Sequence, residues 1–69
     1  MTPEQVKIFG RMVADERGRR RKSLEWLAKA SGVNRGSIRN LEKGKTRYLQ
    51  NGTRVALEEA LGIKAPCFT

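Results

Sequence analysis

The sequence predicts an all-α fold, a small four-helix domain whose middle two helices are joined by a tight turn. Two observations carry this reading. Apolar residues recur at three- and four-residue spacing in four separate stretches, and each stretch is preceded by a residue able to cap a helix. Glycine then closes the last three of them, at Gly32, Gly44 and Gly62.

The first helix is expected over 3–17. Thr2 can cap it, Pro3 suits the first helical position, and Gln5 stands three residues after Thr2 as in a capping box. Val6, Phe9 and Val13, with Ile8 and Met12 beside them, form a stripe that ends at the basic run Arg17-Gly-Arg-Arg-Arg-Lys22. Gly10 interrupts this stripe at a propensity cost of ~1 kcal/mol, so another helix is expected to approach closely there. The second helix is expected over 24–31, capped by Ser23, with Leu24, Leu27, Ala28 and Ser31 turned to the core. Gly32 can take a left-handed cap, Val33 can plug the core, and Asn34 can cap the next helix.

The third helix is expected over 35–43. An advance of ~100° per residue groups Ser37, Ile38 and Leu41 and sets Arg35, Gly36, Arg39, Asn40 and Lys43 roughly opposite. Lys43 and Lys45 suit the negative end of its dipole, and Gly44 stops it. In the loop after it, Tyr48 and Leu49 are expected to fold back onto the core. The fourth helix is expected over 53–61, capped by Thr53 or Asn51, with Val55, Ala56, Leu57, Ala60 and Leu61 on its apolar side. The domain is thus 1–63, and residues 64–69 form a short tail broken by Pro66.

Composition limits what such a domain can do. A chain of 69 residues is one domain at most and leaves little room for a large catalytic cleft. Fifteen Lys and Arg against seven Asp and Glu give a net charge of +8, which calls for a polyanionic partner, nucleic acid first. Cys67 is the only cysteine and histidine is absent, so neither a disulfide framework nor a Cys/His zinc site is expected, and no cofactor. The lack of histidine, and of a Ser or Cys beside a base, argues against an enzyme and a small-molecule substrate. No apolar run approaches the ~20 residues of a bilayer span, and Met-Thr-Pro-Glu-Gln lacks the regions of a signal peptide, so no membrane partner and a cytoplasmic location are expected.

The residues Leu27-Ala28, Gly32-Val33-Asn34-Arg35, Ile38 and Leu41-Glu42-Lys43-Gly44-Lys45 have the spacing L-A-x-x-x-G-V-S-x-x-x-I-x-x-I/W-E-x-G-K. In this the chain resembles the helix-turn-helix domain of the phage Cro and repressor family, also called lambda-repressor-like or XRE. The likeness covers about 9–63, and Gly10, Val13, Arg17 and Ser23 also stand where members often carry glycine, an aliphatic residue, arginine and Ser or Thr. The resemblance implies a sequence-specific regulator of transcription, a phage or bacterial repressor that occupies an operator in double-stranded DNA. Its third helix would enter the major groove and read bases with Arg35, Gly36, Arg39 and Asn40, the face already set opposite the core. Arg can fork guanine O6 and N7, and Asn can pair with adenine N6 and N7. Gly36 either permits close approach to the groove or forgoes a contact. Phosphates would be met by the N-terminus of the second helix and by Lys22, Ser23, Asn34, Lys43, Lys45 and Arg47. Arg17 and Glu42 match an internal ion pair that ties the first helix to the third.

Three departures from the family pattern stand out. Arg21 and Lys22 replace a glycine and an aliphatic residue, so the connection between the first two helices is expected to differ; Arg19, Arg20 and Arg21 are read either as a DNA-contacting arm or as a solvated connection. Leu24 replaces a glutamine that touches phosphate. A fifth, dimerising helix is not expected within these 69 residues, which leaves open a homodimer on half-sites ~34 Å apart or a monomer on an asymmetric site. Trp26 lies ~200° from Leu24 on its helix and is either covered by the Tyr48 loop or the tail near Phe68, or is an exposed anchor for a protein. Cys67 is read as a tail residue of no special role. The rival readings are an excisionase-like architectural DNA-binding factor, an antitoxin-type protein-interaction module, and an RNA binder, the last ranked low because no aromatic stacking face is evident.

Overall fold

A computed structural model describes residues 2–64, and the tail residues Cys67 and Phe68 lie outside them. The described chain forms four α-helices: α1 (Pro3–Arg19), α2 (Leu24–Ser31), α3 (Arg35–Glu42) and α4 (Asn51–Leu61). Helix α1 starts as its capping box requires, with the Thr2 hydroxyl accepting from the Gln5 N–H and the Gln5 side chain accepting from the Thr2 N–H. It runs two residues past Arg17, because Gly18 and Arg19 continue the backbone ladder before a left-handed residue ends it.

The two sides of the domain meet across a core of Val6, Phe9, Val13, Leu27, Ile38, Leu41, Leu57 and Leu61. Both α1 and α2 pack against α3 and α4. Ile8 does not join this core and is 46% exposed, since it lies ~200° around the helix from Val6, while Met12, ~120° away, is half-buried. Ser37 is exposed, contrary to its expected place beside Ile38 and Leu41. Two buried residues span only ~60° of α3, and Ser37 falls beyond that arc toward Asn40.

Between α3 and α4 the chain turns Leu49 inward, half-buried against the core, and leaves Tyr48 76% exposed. The expectation that both would fold back is therefore wrong for Tyr48. Neighbouring side chains along a non-helical segment point to opposite sides, so a single apolar slot takes one of the pair. Neither Thr53 nor Asn51 caps α4: both lie within it, Gln50 occupies the cap position without a side-chain bond, and the Asn51 carboxamide accepts from Arg54 instead. The α4 start is thus two residues earlier than expected, and α3 ends one residue earlier, with Lys43 as its cap. Trp26 is half-buried at the core edge with the Lys22 ammonium 5.3 Å from its ring centroid, so it is not a fully exposed anchor, and the tail near Phe68 expected to cover it lies outside the described residues. No described helix is long and apolar enough to cross a membrane.

Gly10 is where α1 meets α3. A Cβ built on it would collide with the Leu41 carbonyl oxygen and stand 2.9 Å from its carbon, so only hydrogen fits between the two backbones. Substitution by alanine should help α1 by propensity and lose far more by forcing the helices apart. Gly10→Ala is expected to cost about 2 kcal/mol net and to lower the thermal midpoint by roughly 10 °C, measured by circular dichroism. An unchanged midpoint would show that α1 and α3 do not meet at this glycine.

Candidate nucleic-acid interface

Helix α3 is only eight residues long, far too short to hold itself in water, so its position is imposed from both ends. At its start, the Ser31 hydroxyl donates to the Leu27 carbonyl at 2.7 Å and accepts from the Val33 N–H at 3.2 Å. Gly32 takes the left-handed conformation with φ 75°, and the Asn34 carboxamide oxygen accepts from the Gly36 N–H at 2.8 Å. This gives Gly36 a reason that the sequence alone did not supply: a Cβ there would come within 3.1 Å of that capping oxygen. At the far end, the Lys45 N–H bonds the Asn40 carbonyl and the Gly44 N–H bonds the Leu41 carbonyl, with Gly44 left-handed at φ 76°.

The brace from α1 is an ion pair. Arg17 Nε and Nη2 each donate to one oxygen of Glu42 at 2.9 Å, and Nη1 donates to the Lys22 carbonyl at 2.8 Å. The two side chains are 22% and 10% exposed, so water competes weakly for them. The hydrogen bonds to Glu42 push the Arg17 pKa above its already high ordinary value, burial pulls it partly back, and the Glu42 charge adds to the rise. A raised basic group contributes below its unfolded value and loses that contribution only as pH climbs through the folded one, so Arg17 titration leaves folding unaffected at neutral pH.

With α3 held in this way, Arg35, Gly36, Ser37, Arg39, Asn40 and Lys43 all face solvent. Among the described residues, the Arg39, Asn40 and Lys43 side chains have no hydrogen-bonding or ionic partner; Arg35 pairs with Glu25. Ser37 lines a depression with Asn40, Thr46 and Tyr48, and so extends this face. A second depression, lined by Arg17, Ser23, Leu24, Glu25, Arg35 and Arg39, joins the start of α2 to α3. The Ser23 oxygen accepts from the Trp26 N–H at 3.0 Å, which leaves its own hydrogen free to donate. Leu24 is half-buried against the core and offers no donor, so an anion at this end is met by backbone N–H groups and the Ser23 hydroxyl.

The arginine run is partly tied back onto the domain. Arg19 belongs to α1 and pairs with Glu16 at 3.1 Å; Arg20 pairs with the same carboxylate at 3.2 Å and donates to the Leu61 carbonyl at 2.6 Å, tying α1 to the end of α4. Of the three arginines, only Arg21 lacks such a partner among the described residues. Its φ is 56°, the left-handed region that favours glycine, while the Lys22 N–H bonds the Arg17 carbonyl and the Arg21 N–H bonds the Gly18 carbonyl. The connection therefore has the backbone a glycine would adopt, contrary to the expectation that Arg21 and Lys22 would reroute it.

Lys7 is a residue that sequence patterns do not mark. It lines a third depression with Pro3, Gly44, Lys45, Thr46 and Arg47, which brings three cations from opposite ends of the first 47 residues to one place. Nothing in the local pattern of α1 points to Lys7, because its neighbours come from the turn after α3.

Comparison with known protein families, with characterised sequences and with solved structures finds no match to the chain. The ligand of this surface must be argued from its own chemistry.

Arg17→Ala should cost about 2 kcal/mol, the scale of lost charge-assisted hydrogen bonds, and Arg17→Lys should recover little because an ammonium cannot fork a carboxylate. Equal stability of Arg17→Lys and the parent in urea denaturation would contradict this. Arg21→Gly should instead stabilise the fold by about 1 kcal/mol by relieving the left-handed strain. A loss of stability on that substitution would mean that the Arg21 side chain is itself needed.

Proposed function

We propose that this chain is a sequence-specific double-stranded DNA-binding protein of the lambda-repressor-like, helix-turn-helix kind, a transcriptional regulator that acts by occupying an operator. One observation carries the reading. The exposed side of α3 offers Arg39, Asn40 and Lys43, whose side chains have no partner among the described residues, on a helix held by the Asn34 cap and the Arg17–Glu42 pair. A protein that needed only solubility could have used any charges there; Arg39, Asn40 and the neighbouring Arg35 supply donors and acceptors complementary to those that major-groove base edges present.

The mechanism uses three adjoining surfaces. Helix α3 enters the major groove, Arg35 and Arg39 fork guanines, and Asn40 pairs with an adenine. The N-terminus of α2 with Ser23 meets one phosphate strand. Lys43 and the cluster of Lys7, Lys45 and Arg47 meet phosphates beyond the C-terminal end of α3. Arg21 and Lys22 are near the start of α2 in sequence and add positive charge there, whereas Arg19 and Arg20 remain occupied by Glu16 and Leu61. Repression results from exclusion of polymerase at the occupied site.

Selection of bound duplexes from a random pool at ~150 mM salt tests this reading, and a single enriched motif is expected. A palindromic motif identifies a dimer, an asymmetric one a monomer. Equal recovery of all sequences would overturn the proposal. On the selected duplex, Asn40→Ala is expected to remove discrimination at one base pair, worth ~1 to 3 kcal/mol, while binding to random duplex stays as it was. Equal losses on both duplexes would remove Asn40 from base reading.

A further inference from the structure

The depression between α2 and α3 holds one group that does not suit a surface for a polyanion. Glu25, in the first turn of α2, directs Oε1 to Arg35 Nη1 at 3.0 Å, and it is the only carboxylate among six lining residues of which three are arginines. Both side chains are largely exposed, 71% for Glu25 and 62% for Arg35, so the pair contributes little to holding α2 against α3. A carboxylate beside the N-terminus of α2 also repels the phosphate expected there. Its cost falls on every duplex alike, whatever the sequence.

The geometry of the pair offers what offsets that cost. Glu25 engages Nη1 and leaves the Nε and Nη2 edge of Arg35 without a partner among the described residues. That edge carries two parallel N–H donors, which is the set that guanine O6 and N7 accept. We infer that Glu25 is a positioning residue for specificity: it holds the Arg35 guanidinium with its free edge presented to one guanine, at a cost in phosphate repulsion that every duplex bears equally. The inference rests on the proposed reading of duplex DNA by α3. Orientation raises affinity for one base pair and so widens the ratio between operator and random sequence, while the charge lowers affinity for both alike and keeps binding to random sequence weak.

The test compares the full chain with Glu25→Gln, which keeps shape and removes charge, on the selected duplex, on its single-base-pair variants and on random duplex at one fixed salt concentration. Glu25→Gln is expected to bind random duplex about threefold more tightly and to lose about tenfold of the preference at a single base pair, leaving the other positions unchanged. Arg35→Ala should abolish preference at that same base pair, and adding Glu25→Gln to it should change that preference no further. A surface charge without a positioning role would shift all duplexes by one common factor, and that result would overturn the inference. A wild-type chain that prefers no duplex would overturn the proposed function itself, whereas a selective wild type whose Glu25→Gln variant keeps every preference would overturn the role of Glu25 alone.

Discussion

The approach of α1 to α3 at Gly10 is the constraint on which the remainder of the molecule depends, because α3 has no stability of its own. Eight residues cannot offset the entropy of helix nucleation in water, and Ile38 and Leu41 are its only buried side chains. With hydrogen in place of a side chain at Gly10, the α1 backbone comes against the Leu41 carbonyl. That contact sets the distance at which Arg17 can reach Glu42 with two hydrogen bonds rather than one, and the fork in turn resists rotation of α3 about its axis. Packing and electrostatics thus act in sequence along the same pair of helices.

A net charge of +8 is therefore not one undivided attraction. Arg17 and Arg20 are engaged in holding helices together through Glu42 and the Leu61 carbonyl, and Arg54 pairs with Glu58 within α4, while Arg39, Arg21, Lys43, Lys45 and Arg47 face solvent. Guanidinium suits the first task because it satisfies several acceptors at once, including backbone carbonyls at helix ends. The same property makes a continuous run of arginines ambiguous when it is read only as charge. Arg19 and Arg20 illustrate this, since both pair with Glu16 within their own domain.

The surface around α3 is also uneven in sign. Glu25 meets Arg35 where α2 and α3 come together, while the turn after α3 collects Lys45 and Arg47 beside Lys7 with no acidic residue lining the same hollow. An anion would meet purely attractive charge at one end of α3 and a mixed pair at the other. Recognition at such a surface is graded along the helix rather than uniform.

Local rules were enough for much of this molecule. The Thr2 capping box, the Ser23 and Asn34 caps, the left-handed Gly32 and Gly44, and the buried stripe of Val6, Phe9 and Val13 each involve residues within a few positions of one another, so their physics is contained in short windows of sequence. The outward group of Arg35, Arg39 and Asn40 was legible for the same reason, as a consequence of helical period alone. What only the tertiary structure decided involves partners far apart in the chain: the pairing of Arg20 with Leu61, the meeting of Lys7 with Lys45 and Arg47, and the choice of Leu49 over Tyr48 for the one apolar slot. Arg21 belongs with these. A left-handed arginine is unfavourable by itself, and it is held there because α1 and α2 are each fixed by the core and the chain between them has no other route.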